Sequence, residues 1–289
     1  MKVALCFLIS YNHILNKEHI WREWIDYNKD IINVYFHYSD YEKIESTWIK
    51  EHAIPEQYIF KTSYYHVVPA YLSLMSYAMG DDPENQWICF LTDSCCPIIS
   101  PRRFRYLFLK NYIFSVMSWK KAWWNPSFHK RANLNLVTKE LRLANDAWFV
   151  LKREDAINCM NVVKENYRLV KTICNGGLAN ESIFAIMLKL TNTLDDVICK
   201  TTHCADWSRM PTCTSPHLFE HANERDIQFI KQSFKEHNFL MFLRKVSPKF
   251  PDHVLRQFIY REDDKLTILL TPVPTYIEKQ KEAEAEELT

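Results

Sequence analysis

The residues able to do chemistry in this chain stand at the ends of apolar runs. Trp87 to Leu91 is an unbroken apolar stretch, and Thr92, Asp93 and Ser94 follow at once. A short apolar run with polar ends reads as a strand buried on both faces. Ligands of open α/β sheets bind beyond the carboxyl ends of such strands. Asp93 is therefore expected at the mouth of a site, or else as the cap of the next loop. The stretch SWKKAWWNPSFHKR, residues 118 to 131, alternates tryptophan with basic residues. Aromatic rings stack on apolar faces of sugars or bases, so this is either an acceptor-binding loop or a loop packed on the core. Cys199, His203, Cys204, Cys213 and His217 form a sulfur–imidazole cluster, but their spacing matches no common zinc pattern and no Cys-x-x-Cys is present.

The elements that must position these residues alternate. Val3–Ser10, Ile31–His37, Tyr58–Phe60 and the Trp87 run read as strands. Segments 19–26, 42–51 and 69–79 read as helices, the last opened by Pro69. That order predicts a mostly parallel sheet flanked by helices. Further on, strands are expected at 113–117, 147–151, 197–202 and 239–243, and helices at 101–110, 134–143, 153–166, 224–237 and 252–260. Glu181, in Ala179-Asn180-Glu181, is expected to open the apolar helix ESIFAIMLKL, with Asn180 as its N-cap. Residues 278–289, EKQKEAEAEELT, lack apolar side chains and are expected to form a charged, disordered tail.

Composition narrows the function. The chain has 289 residues, 14% aromatic, with a formal net charge of +1. That balance gives no electrostatic reason to expect nucleic acid or an anionic membrane as partner. No apolar run reaches the length of a membrane span, and VALCFLIS is too short for a signal peptide. A cytoplasmic location is the expectation. An odd count of cysteines, nine, fits reduced thiols. Three glycines, Gly80, Gly176 and Gly177, exclude a Gly-rich dinucleotide turn and a P-loop. Any nucleotide must therefore be held by side chains.

Seven pieces then appear in one order: KVALCFLIS, INVYFH, WICFLTDSCCPI, DAWFVLKREDA, NESIF, ADWSR with SPH, and FLRKVSP. Together they resemble the core-2/I-branching β-1,6-N-acetylglucosaminyltransferase family, its plant branch in particular, over about residues 2 to 255. The resemblance implies a GT-A-type α/β glycosyltransferase fold in one domain, 1–277. Its nucleotide-binding half would be about 1–100 and its acceptor and catalytic half about 101–277. It also implies transfer of a sugar from a UDP-sugar, with inversion, to a hydroxyl of a glycan or glycoprotein acceptor. UDP-GlcNAc is the first candidate donor, with UDP-xylose and UDP-glucuronate open. By the same resemblance Glu181 is the catalytic base. Lys245 would contact the diphosphate, with Arg225 or Arg244 as the second cation. His37 and Asp93 would lie at the nucleotide pocket, and Trp207, Asp206, Arg209 and Trp148 on the acceptor side. The family's Asp-Glu pair is Asn180-Glu181 here, and its Gly-Gly after Trp-Ser-Arg is Met210-Pro211.

The chemistry is self-consistent. Inversion needs one carboxylate to take the acceptor proton and positive charge on the leaving diphosphate. The chain contains no Asp-x-Asp triplet to anchor a divalent metal, whereas arginine and lysine can neutralise phosphate directly. The expectation is a metal-independent transferase without a cofactor. A sugar-nucleotide-binding protein that has lost catalysis is the alternative, and an unrelated nucleotidyltransferase would need paired acidic ligands.

Overall fold

The computed structural model describes residues 1–127, 130–212 and 215–260. Its strands are β1 (Lys2–Leu8), β2 (Ile32–His37), β3 (Asn85–Thr92), β4 (Cys96–Pro97), β5 (Trp119–Lys121), β6 (Leu143–Asn145), β7 (Val150–Lys152), β8 (His203–Ala205) and β9 (Phe242–Arg244). Its helices are α1 (Glu18–Asp26), α2 (Thr47–Glu51), α3 (Val68–Asp81), α4 (Pro101–Asn111), α5 (Arg153–Glu165), α6 (Tyr167–Cys174), α7 (Ile183–Leu190), α8 (Glu224–Glu236) and α9 (Asp252–Tyr260).

The central sheet runs β2-β1-β3-β7. The first three strands are parallel and β7 is antiparallel, so the sheet is mixed. Side chains alternate across a strand, and β1 shows the consequence. Val3, Leu5 and Phe7 point into one core with Trp21 and Trp24 of α1, Phe104 of α4 and Phe242 of β9. Ala4 and Cys6 point into a second core with α3, α5 and α7. Phe7 and Trp21 meet edge to face at 5.0 Å, worth about 0.5–1.5 kcal/mol beyond burial. A smaller sheet, β4-β9-β8, closes the first core, and the β5-β6 pair edges the second. Among the described residues no helix is long and apolar enough to cross a membrane.

Several expected elements change form. The expected helix over 134–143 is two 3-10 turns, Arg131–Leu136 and Lys139–Leu141, followed by β6. Just before the expected helix, Ala132 and Asn133 adopt left-handed backbone (φ 52° and 50°), so no α-helix runs into it from Arg131. The expected strand at 58–60 is replaced by a 3-10 turn, Glu56–Tyr58, entered from Pro55. Segment 113–117 contributes only bridges from Val116 to Val150 and Ile198. The expected strands at 147–151 and 239–243 begin later, at Val150 and Phe242, while 197–202 holds only a bridge at Ile198 and the strand β8 starts after it, at His203. α2 keeps only the second half of the expected 42–51 helix, beginning where Ser46 caps the Ile49 N–H. The tail at 278–289, Cys213 and residues 128–129 of the tryptophan loop lie outside the described residues.

Candidate active site

The carboxyl ends of the parallel strands lie level. Leu8 of β1 is in register with His37 of β2 on one side and Thr92 of β3 on the other. Asp93 follows directly, and its carboxylate accepts the Ser10 N–H at 3.0 Å. His37 is buried, and its Nε2 makes no hydrogen bond to the described residues. Burial pushes this imidazole down to about 4, so it is neutral at physiological pH and can accept or donate one bond. Asp93 thus stands where the sequence placed it, at the sheet's mouth.

β9 delivers two cations to this mouth. Arg244 donates to the Thr92 hydroxyl and, at 2.7 Å, to that of Ser94. Its guanidinium lies 4.2 Å from the Trp148 ring centroid. Its Nε is buried without a hydrogen-bond partner among the described residues. Lys245 is held by its backbone. The Phe219 N–H donates to its carbonyl at 2.8 Å, and the next residue, Val246, donates to the Ser94 carbonyl at 2.8 Å. Burial and the Arg244 charge push the Lys245 ammonium below the usual lysine range, while Asp93 pulls it back. Lys245 and Asp93 are therefore neighbours across the mouth.

Glu181 sits elsewhere than expected. α7 starts at Ile183, and Glu181 ends a 3-10 turn, Ala179–Glu181, entered from Leu178 at φ 58°. Ser182, at φ −148°, breaks the backbone between turn and helix, so Asn180 is not the N-cap of α7. The Asn180 carbonyl instead accepts the Asn145 Nδ2 at 2.9 Å. The Glu181 carboxylate forms an ion pair with Arg131. The Arg131 guanidinium also lies 4.5 Å from the Trp124 centroid and 5.4 Å from that of Trp123. Sequence reading missed Arg131. The signal was its place at the end of the tryptophan-rich stretch. In that stretch Trp124 packs in the second core, while Trp123 is 58% exposed.

Glu181 lines a cavity of about 640 Å³ with Arg131, Trp123, Trp148, Trp207 and Asp146. Trp148 and Trp207 stack at 6.4 Å with 17° between their planes. Trp207 is 43% exposed, as an aromatic platform for a ligand must be. Asp206 and Arg209 lie behind the cavity wall. Buried Asp206 accepts from Arg209 Nε at 2.5 Å and from the Ser208 hydroxyl at 2.7 Å. Arg209 also donates to Asp226 of α8 at 2.8 Å, which His217 contacts at 3.0 Å. These residues pin the loop that presents Trp207. Arg225 is exposed in the first turn of α8 and does not line the cavity. Cys204 is buried and Cys199 exposed, with Cys199 donating to the Trp119 carbonyl. Among the described residues no three His, Cys, Asp or Glu side chains are grouped to hold a metal ion.

A family model described as Core-2/I-Branching enzyme matches residues 5–231. The chain belongs to the core-2/I-branching family. It is therefore a member of a glycosyltransferase family that acts on glycans, and the order of motifs in the sequence had pointed there. No curated protein matches the chain. The match ends inside α8, so Arg244 and Lys245 lie beyond it, and their part in this member rests on the geometry above.

Two outcomes follow for this site. A Cβ on Gly176 would meet the Asn133 backbone nitrogen at 2.4 Å and Ala132 Cα at 2.8 Å. Gly176→Ala must push the turn carrying Arg131 away from that carrying Glu181. It is expected to cost about 1–3 kcal/mol, seen as a lowered melting temperature, together with weaker transfer. A melting temperature equal to wild type would show that the contact relaxes freely. Trp207→Ala is expected to raise the acceptor Michaelis constant more than the donor's, since ring stacking is worth on the order of 1 kcal/mol. A large fall in melting temperature with an unchanged acceptor constant would make Trp207 a packing residue.

Proposed function

We propose that this core-2/I-branching member is an inverting, metal-independent transferase of GT-A type. It moves a sugar from a UDP-sugar, UDP-GlcNAc first among candidates, to a hydroxyl of a glycan acceptor. The observation that carries the reading is the Arg244–Trp148–Trp207 stack. It joins a cationic strand end to an aromatic-walled cavity that Glu181 lines, its carboxylate held by Arg131.

The roles follow from the chemistry. The acceptor sugar rests against Trp207 with its hydroxyl toward Glu181. Glu181 takes the hydroxyl proton as the oxygen forms a bond to the anomeric carbon from the face opposite UDP. The bond from that carbon to the β-phosphate oxygen breaks, and its electron pair leaves with UDP. Lys245 and Arg244 meet the growing phosphate charge. Arg244 already spends donors on Thr92 and Ser94, so Lys245 is the more mobile counter-charge and the unpartnered Arg244 Nε a fixed one. His37 Nε2, unpartnered at the sheet's mouth, suits a polar atom of the base. Arg131 orients the Glu181 carboxylate until the acceptor arrives.

Thermal shift with UDP, UDP-GlcNAc, UDP-xylose and UDP-glucuronate tests the reading. A ligand at 100 times its Kd stabilises the fold by about 2.7 kcal/mol. One UDP-sugar should raise the melting temperature and release UDP when a suitable glycan is added. No shift with any of them, UDP included, would overturn the assignment.

A further inference from the structure

Asp146 has no role in the scheme above. It lies between β6 and β7, two residues before Trp148, and lines the same cavity as Glu181. Its backbone N–H donates to the Ser118 carbonyl at 2.9 Å, which fixes it beside β5. Ser118 and Thr201 line the cavity with it. Lys120 of β5 and His237, just past α8, are the charges facing it, with Glu236 also on the cavity wall.

Asn145 connects Asp146 to the base. This buried amide donates to the Asp146 carbonyl at 2.8 Å and to the Asn180 carbonyl at 2.9 Å. Its oxygen accepts the Ala185 N–H of α7 at 3.2 Å. One side chain thereby ties the β6 end, the turn bearing Glu181 and the helix behind it. The two carboxylates share one frame.

We propose, resting on the transferase reading, that Asp146 is a second acceptor-binding carboxylate. It would accept hydrogen bonds from hydroxyl or amide groups of the acceptor glycan and set which glycan enters. A carboxylate accepts from such donors strongly because it is charged and acceptor-only.

The energetics of the group fit a ligand site. Burial pushes the Asp146 carboxyl up to about 6, against the pull of Thr201, Lys120, Ser118 and His237. The folded chain then holds a proton between about pH 4 and 6 that the unfolded chain does not. Stability from this group falls as pH rises through that window, so the charged form costs stability at neutral pH. An aspartate kept for structure would do the reverse.

Asp146→Asn separates the two. The probes are a printed array of defined oligosaccharides and thermal shift with UDP. The variant should bind the glycans that retain wild type at least tenfold more weakly, with an unchanged UDP shift. Its melting temperature at pH 7.5 should equal or exceed that of wild type, and the difference should close by pH 4.5. Wild-type glycan binding should itself weaken below about pH 6, and the variant should lose that dependence. Equal glycan binding by the two proteins would overturn the proposal. So would a melting temperature below wild type at pH 7.5. Glycan binding by wild type without any UDP shift would overturn the transferase reading alone, because the ratio of variant to wild type still decides Asp146.

Discussion

Glu181→Gln is expected to keep the fold and the UDP-induced thermal shift while lowering transfer about 10²–10⁴-fold, the usual contribution of a general base. The amide fills the same space and can still accept from Arg131, but it cannot take a proton. The ion pair with Arg131 is partly buried, so losing its charge costs on the order of 1 kcal/mol. That is small beside the kinetic effect. The reading of Glu181 as a helix-capping acid predicts the opposite pattern, a modest stability loss with transfer intact. The position of α7 already weakens it, because the helix begins two residues later and Ser182 breaks the backbone between. If Glu181→Gln keeps more than about a tenth of wild-type transfer, the base lies elsewhere in the cavity. Asp146 would then be the next carboxylate to test, since it shares the frame held by Asn145.

How far the site was legible depended on the range of the forces that build it. β1 and β3 are built on unbroken apolar runs, Val3–Leu8 and Trp87–Leu91, and β2 is mostly apolar, as strands buried on both faces must be. Their ends, with Asp93 and His37, could therefore be read directly. α9 begins at Asp252 and ends at Tyr260, as its apolar spacing required. Arg131 could not be read. It lies fifty residues from Glu181, and the left-handed turn at Ala132 and Asn133 that brings it there packs on Gly176. A helix was expected just after it, over 134–143, because local propensity cannot register a contact across the fold. Asp206 and Arg209 were legible as a motif, but not their burial behind the wall, because that depends on Asp226 arriving from α8. Motif identity gave the segment, and only the packing separated the exposed Trp207 from the residues that hold it.

Lys245→Ala is the second large effect expected, and it separates metal-free catalysis from the commoner metal-dependent kind. Charge grows on the β-phosphate as the glycosidic bond breaks, and a preorganised cation there is worth on the order of 10²–10³ in turnover. Lys245 carries the marks of such a cation. Its ammonium is pushed below the usual lysine range, first by burial and then by Arg244, and only Asp93 opposes this. A lysine whose folded pKa is lowered makes the ligand-free protein less stable while it is charged, and stability rises as pH climbs through that lowered value. Lys245→Ala should therefore leave the ligand-free melting temperature unchanged or higher near neutral pH. It should also shrink the shift given by UDP and cut turnover, because the contact tightens as charge develops. A solvated surface lysine would instead change every readout within about 0.5 kcal/mol. Arg244→Ala should behave differently. It strips donors from Thr92 and Ser94 and a cation from the Trp148 face, so melting temperature and activity should fall together. Excess EDTA completes the test. With Lys245 and Arg244 as the only counter-charges, transfer should survive EDTA and change little on adding Mn²⁺. Activity lost in EDTA and restored by Mn²⁺ would end the metal-free reading. It would also recast Asp93, already beside Lys245 at the sheet's mouth, as a metal ligand.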